Sequence, residues 1–185
     1  MRVAVTGTPG TGKTTATEHL AVDLDVVHLN EVIEAEGLTS GTDERRGSWI
    51  ADLDATADWL DGRDDVLVES HLAHLFDADR VVVLRCRPDE LRRRLEARGE
   101  PPEKAEENAE AEALDLLLAE AVERHDAGRV YEVDTTDLEP AAVAAEVEAI
   151  AAGEREPSAG TVSFLDYLDD VDANRQPDSG PVEHP

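Results

Sequence analysis

Cysteine is nearly absent. The 185-residue chain has one, Cys86, which excludes an intrachain disulfide and makes the cytoplasm the expected compartment. Lysine is almost as scarce: Lys13 and Lys104 stand alone, and arginine supplies the rest of 17 basic residues against 44 acidic ones. No apolar run approaches the roughly 18 residues of a membrane span. The opening MRVAVTG reads as a strand, with neither the layout of a signal peptide nor that of a transit peptide. These shortages argue against a disulfide scaffold and a membrane protein. The formal net charge of −27 repels a phosphate backbone, so direct DNA binding is not expected. Acid is spread along the whole chain while lysine is depleted throughout, a pattern that suits a saline cytoplasm, as in extreme halophiles. At about 1 M salt the Debye length falls to about 3 Å and self-repulsion is largely screened. A strongly basic partner is the alternative reading.

What remains is an ordinary globular composition, 41% hydrophobic, of a size for one domain with a short appendage. Short Val- and Leu-rich runs at 2–6, 26–29, 65–69, 80–84 and 129–133 read as strands. They alternate with helical stretches at 13–22, 31–36, 48–60, 88–98, 103–124 and 140–152, with a loop at 37–42. Near-continuous apolar strands are buried on both faces, as in parallel sheets. The alternation predicts an α/β doubly wound fold ending near Gly153. Residues 154–185 hold four of the nine prolines and eight acidic groups, the composition of a disordered tail. One island, VSFLDYLDDV at 162–171, places Leu165, Leu168 and Val171 on a common helical stripe. It reads as incidental apolar residues in a solvated tail, or as a docking segment for a partner or for the domain itself.

The sharpest signal is Gly7-Thr8-Pro9-Gly10-Thr11-Gly12-Lys13-Thr14, a match to G-x-x-x-x-G-K-[ST]. It follows an apolar strand and opens a helix. Glycines there let the backbone wrap a polyphosphate, so that N–H groups and the helix dipole face the anion. Lys13 then reaches the outer phosphates, and Thr14 offers a hydroxyl to Mg²⁺. One of two lysines in the chain sits where phosphate chemistry needs it.

A metal at such a loop needs a carboxylate ending a neighbouring strand, and Glu69 ends VLVE. It would hold Mg²⁺ directly or through water. His71, two residues on, could orient a phosphate or pass a proton. Glu69, His71 and His74 lack the fourth ligand of a zinc site. Arg92, Arg93, Arg94 and Arg98 fall on one helix. Arg94 and Arg98 are four apart and share a face just before the hinge-like Gly99-Glu100-Pro101-Pro102, as a small closing lid requires. Arg92 and Arg93 read as a solvated face paired with acids. Lys104 and Asn108 open the next helix and could complete the lid.

Taken together, GTPGTGKTT, the E-x-H after the third strand, VVVLR at 81–85, RRLEARG at 93–99 and EKAEENAEAEALD at 103–115 resemble one group. It is the archaeal and nuclear adenylate kinase family of isoenzyme-six type, also called the coilin-interacting nuclear ATPase family. The resemblance runs from Met1 to about Ala152. It implies a five-stranded parallel sheet flanked by helices, a P-loop NTPase fold of the short-lid nucleoside monophosphate kinase type. It implies a kinase domain over 1–153, with an acceptor region at 30–60 and a lid at 94–108. It also implies ATP:AMP phosphotransfer with Mg²⁺, a side ATPase activity, and a role in small ribosomal subunit maturation through a ribosomal protein. By that match Gly10, Thr11, Gly12, Lys13, Thr14 and Thr15 bind the ATP phosphates together with Arg94. Glu69 and His71 form a Walker B-type pair, and Thr14 and Glu69 hold the metal. Arg94 and Arg98 are lid residues that act with Lys13 in transfer. Val133 to Leu138 resembles the loop that holds the adenine of ATP. Some relatives carry Asp where Glu69 stands, and the D-G-x-P-R signature of longer adenylate kinases is absent.

Two further readings stay open. In one, ATP binding switches the grip of an assembly factor on a ribosomal protein. In the other, a P-loop kinase serves a non-nucleotide such as shikimate, against which the E-x-H and lid patterns count.

Overall fold

The structure, a computed structural model, describes residues 1–43 and 48–168. The first half runs β1 (Arg2–Thr6), α1 (Lys13–Thr17), β2 (Asp25–His28), α2 (Leu29–Glu36), β3 (Thr39–Asp43), β4 (Ser48–Ala51), α3 (Leu53–Leu60) and β5 (Val66–Glu69). The second half runs β6 (Arg80–Arg85), α4 (Pro88–Ala97), α5 (Pro102–Ala113), α6 (Leu116–His125), β7 (Val130–Asp134) and α7 (Pro140–Ala152). Five strands form a parallel sheet in the order β2-β5-β1-β6-β7. The chain leaves β1 toward one edge and β6 toward the other, so the carboxyl end of β1 lies at the switch point where such sheets bind ligands.

The sheet is two-faced in its packing, as the apolar runs require. Ala4, Val66, Val68, Val81 and Val83 meet Leu29, Ile33, Leu60, Leu118 and Ala121 from α2, α3 and α6. Val3, Val5, Leu67, Val82 and Leu84 meet Ala16 from α1 and Val143, Val147 and Ile150 from α7. A satellite of Cys86, Leu91, Leu95 and Ala105 joins α4 to α5. Helix α4 starts with Pro88 in its first turn and Asp89 and Glu90 beside the positive end of its dipole.

Four local expectations are corrected. The helix predicted over 48–60 is split: Ser48–Ala51 pairs antiparallel with Thr39–Asp43, and a helix begins at Leu53 behind the Asp52 cap. Trp49 and Ile50 favour a strand once Thr42 and Gly41 lie opposite them. The helix predicted over 103–124 breaks at Asp115, whose φ is +54°. The helix expected over 13–22 ends at Thr17, and the turn past it is carried by His19 N–H and Leu20 N–H bonds to Ala16 and Thr17 carbonyls.

The fourth concerns the tail. Its composition reads as solvated, but of the two readings of its apolar island the described residues take the one docked on the domain itself: 154–168 form a strap across it. Ser158 N–H donates to the Val130 carbonyl at 3.0 Å, and Glu132 N–H donates to Ser158 Oγ at 2.9 Å. Phe164 and Tyr167 are buried, Tyr167 against Ala109 and Ala113 with Leu168 beside it. Two aromatic anchors and β7's free polar groups order a segment whose composition reads as solvated. Leu165 of the expected stripe is exposed. Val171 and the tail over 169–185 lie outside the described residues, as do residues 44–47 of the expected acceptor region.

Candidate active site

The loop between β1 and α1 is shaped by its glycines. Gly7 has φ +145°, and a Cβ there would stand 2.4 Å from the Leu84 carbonyl oxygen. Gly10 has φ +99°, and its Cβ would meet Leu91 Cδ1 at 2.9 Å and Leu95 Cγ at 3.1 Å. The loop is therefore pressed between β6 and α4, closer than any side-chain-bearing residue allows.

Lys13 is buried at the loop's centre. Its Nζ donates to the Gly7 carbonyl at 2.8 Å and the Thr8 carbonyl at 3.2 Å. Burial lowers its pKa to about 8, with Glu69 opposing and Arg98 reinforcing that shift. Thr14 Oγ1 lies 3.4 Å from both carboxylate oxygens of Glu69. Glu69 Oε2 is also 3.0 Å from His28 Nδ1. These two strand ends are register partners, which explains the contact. The Thr14 hydroxyl and the Glu69 carboxylate suit a hard, oxygen-seeking cation that keeps most of its water or phosphate ligands, which is the habit of Mg²⁺. No group of three or more His, Cys, Asp or Glu among the described residues forms a metal cage.

His71 sits on the loop leaving β5. Desolvation by crowding neighbours, then the charges of Lys13 and His74, lower its pKa against the pull of Glu69, so the ring is neutral at pH 7. His74 instead belongs to the interior: Nδ1 is 3.0 Å from Thr6 Oγ1, and Nε2 is 3.2 Å from Glu120.

Two concavities flank the loop. One, of about 560 Å³, lies between Gly10–Gly12, Arg94 on α4 and Arg98 at its C-terminal cap, and the segment Thr135–Pro140 after β7. The other, of about 370 Å³, is lined by Lys13, Thr14, Asn30, Glu69, His71 and Glu100. Gly10, Gly12, Thr15 and Arg98 line both. Arg94 is held by Glu90 at 2.8 Å and by the Thr135 and Thr136 carbonyls at 3.1 and 2.9 Å, which fixes the segment after β7. Arg93, with burial opposing and Arg94 helping, holds the Glu90 carboxyl down at about 2.

The structure thus gathers Gly10, Thr11, Gly12, Lys13, Thr14, Thr15, Glu69, His71, Arg94 and Arg98 around one loop. Lys104 and Asn108 line neither concavity: Lys104 pairs with Glu100, on the wall of the second, at 2.9 Å, and Asn108 donates to the Lys104 carbonyl. Of the expected acceptor region 30–60, Asn30 is the described residue lining the second concavity, anchored by Ser70 Oγ at 2.7 Å. His28 escaped the sequence reading; a histidine ending an apolar strand, in register with Glu69, was the available signal. Arg85 and Glu112 escaped it too. Arg85 is fully buried, and among the described residues its carboxylate partners are Glu112, Glu132 and Asp115.

Comparison with known proteins adds lineage. An AAA domain family model matches residues 3–115. A protein of Natronomonas pharaonis bearing the name "Putative adenylate kinase" is 64% identical, the match covering 91% of this chain and 100% of that one. A protein of the same name in Halobacterium salinarum is 62% identical over 91% and 100% of the two chains. Among solved structures, shikimate kinase from Acinetobacter baumannii in complex with shikimate aligns with a TM-score of 0.57, at 16% identity, over 83% of this chain and 94% of that one. A likeness at that identity shows the P-loop kinase fold and leaves the substrate open.

Proposed function

Because the chain belongs to the AAA-domain family of archaeal adenylate kinase relatives, we propose that it transfers the γ-phosphate of ATP to AMP. The observation that carries this reading is the pair of concavities sharing one phosphate loop, with Arg98 lining both. A hydrolase needs one nucleotide pocket; a nucleotide kinase needs two that meet at the transferring group.

ATP would lie with its base against Thr135–Leu138 and its phosphates on Gly10–Thr15. AMP would enter the Asn30, Glu69 and His71 side, with the lid over 94–108 closing above. An AMP phosphate oxygen attacks the γ-phosphorus, the bond to the β–γ bridging oxygen breaks, and two ADP result. The attacking oxygen is already deprotonated at neutral pH, so no general base is required. That agrees with a neutral His71, whose part is to orient the acceptor. Lys13, Arg94 and Arg98 supply the cations that meet charge on the equatorial oxygens, and the rest of the catalysis is positioning. Mg²⁺, held by Thr14 and Glu69, would neutralise phosphate charge. The kinase body over 1–153 acts in the cytoplasm, at a high salt concentration that suits its acidic surface.

A second activity is favoured by one observation, the net charge of −27, which complements a basic partner such as a small-subunit ribosomal protein. In that reading ATPase switching during ribosomal subunit maturation, as in the coilin-interacting nuclear branch, is the main activity. Coupled turnover with ATP against a panel of nucleoside monophosphates, in molar KCl, separates the two. Turnover that depends on AMP supports the kinase. ATP hydrolysis indifferent to every acceptor overturns it in favour of the assembly factor.

A further inference from the structure

We propose that Glu112 is a positioning residue for phosphoryl transfer, acting through the Thr8 hydroxyl on one of the two loop carbonyls, those of Gly7 and Thr8, that orient Lys13. The inference rests on the kinase reading above. Glu112 lies on α5, almost wholly buried, and both its carboxylate oxygens are engaged. Oε2 accepts the Thr8 hydroxyl at 2.5 Å. Oε1 accepts Arg85 Nε at 2.7 Å and Cys86 N–H at 3.2 Å. Thr8 in turn presents its carbonyl to Lys13 Nζ at 3.2 Å, to Thr11 N–H at 3.2 Å and to Thr11 Oγ1 at 3.0 Å. One residue of the phosphate loop therefore has its side chain fixed to α5 and its carbonyl fixed on the transferring lysine.

The acid is itself held from behind. Arg85 Nη1 donates to Glu132 Oε1 at 2.6 Å and Nη2 to the Glu112 carbonyl at 3.2 Å, with Asp115 as a further partner. Burial disfavours the guanidinium charge, but Glu112 and Asp115 outweigh it and push the Arg85 pKa up. Glu132 Oε2 accepts Thr161 N–H from the strap at 2.7 Å, and the Phe164 ring lies over the guanidinium at 5.5 Å. Arg85, which holds Glu112 Oε1, is thus itself held by Glu132 and Asp115.

A buried ion pair is weak support for stability, since a well-packed apolar set often does as well. What an apolar set cannot supply is a directed acceptor for Thr8. Placement makes that acceptor useful. Helix α5 follows the lid stretch after α4, and Leu91 and Leu95 of α4 touch both Ala105 of α5 and the space above Gly10. The loop is consequently gripped twice by the lid-bearing helix pair, once at Gly10 by packing and once at Thr8 by Glu112.

The test uses full-length protein in molar KCl. Thr8→Val keeps the side-chain shape and deletes the hydroxyl; Thr8→Ser keeps the hydroxyl. The expected result for Thr8→Val is a fall in kcat of about tenfold or more with the KM for AMP within about twofold, because a misplaced lysine acts on the transition state. Thr8→Ser recovers most of that loss. Glu112→Gln, where it folds, moves kcat in the same direction. A Thr8→Val enzyme whose Tm drops while kcat stays within about twofold of wild type overturns the proposal, because the link is then structural only. Equal losses in the Val and Ser variants overturn it as well. Wild-type turnover in the same assay reports on the kinase reading separately.

Discussion

Lys13 offers the most direct access to the electrostatics of the loop. Its ammonium is enclosed by the loop's own carbonyls, and burial lowers its pKa from 10.5 to about 8. A displacement of that size corresponds to roughly 3 kcal/mol by which the nucleotide-free fold disfavours the charged form. The unfolded chain binds the proton more tightly, so this group costs the fold stability below about pH 8, and the cost is relieved as pH rises toward 10.5. Polyphosphate has the opposite preference and draws the charged form. Binding of Mg-ATP above pH 8 must therefore take up a proton. At about pH 9 a group with a pKa of about 8 is mostly deprotonated, so uptake approaches about 0.9 proton per site, against almost none at about pH 7. The apparent affinity weakens by up to about tenfold per pH unit above 8. Calorimetric titration in buffers of differing ionisation enthalpy reads the proton count directly. Affinity and proton uptake that stay flat from about pH 7 to pH 9.5 would refute the argument.

Two further outcomes follow from charge and packing. The melting temperature is expected to rise substantially between low and molar KCl, as about 1 M salt screens a net charge of −27; a flat melting curve contradicts salt adaptation. Phe164→Ala removes a buried ring that caps the Arg85 cluster, and denaturant unfolding of the full chain should register a loss of about 3 kcal/mol; a loss under about 1 kcal/mol would mean the strap is not integral to the fold.

The parts legible in the sequence are those whose causes are local. The phosphate loop is specified by eight consecutive residues, and α4 and α7 carry their own proline starts. The Val- and Leu-rich strands announce a parallel sheet because both of its faces are covered. The parts that were not legible depend on partners far along the chain. Trp49 and Ile50 fit a helical spacing until Thr42 and Gly41 are placed opposite them. The break at Asp115 accompanies a carboxylate turned toward Arg85, thirty residues earlier. The strap over 154–168 has the composition of a solvated tail. Its order comes from Glu132 and Ser158 bonding across it and from Phe164 and Tyr167 finding burial. Site residues followed the same division. Lys13 and Thr14 were read from their motif, and Glu69 from its strand end. His28, Asn30 and Glu112 reached the site's surroundings through strand register and helix packing.

The central claim is that two nucleotides meet head to head across one loop, and a single molecule can ask the question. A bisubstrate analogue with two adenosines joined by five phosphates spans a donor and an acceptor pocket at once. In molar KCl with Mg²⁺ it should bind one per chain and compete with both ATP and AMP. It should also lose its affinity in Lys13→Ala. Competition with ATP alone, at an affinity no better than that of ATP, would mean that the second concavity does not receive a nucleotide, and the kinase account would fail.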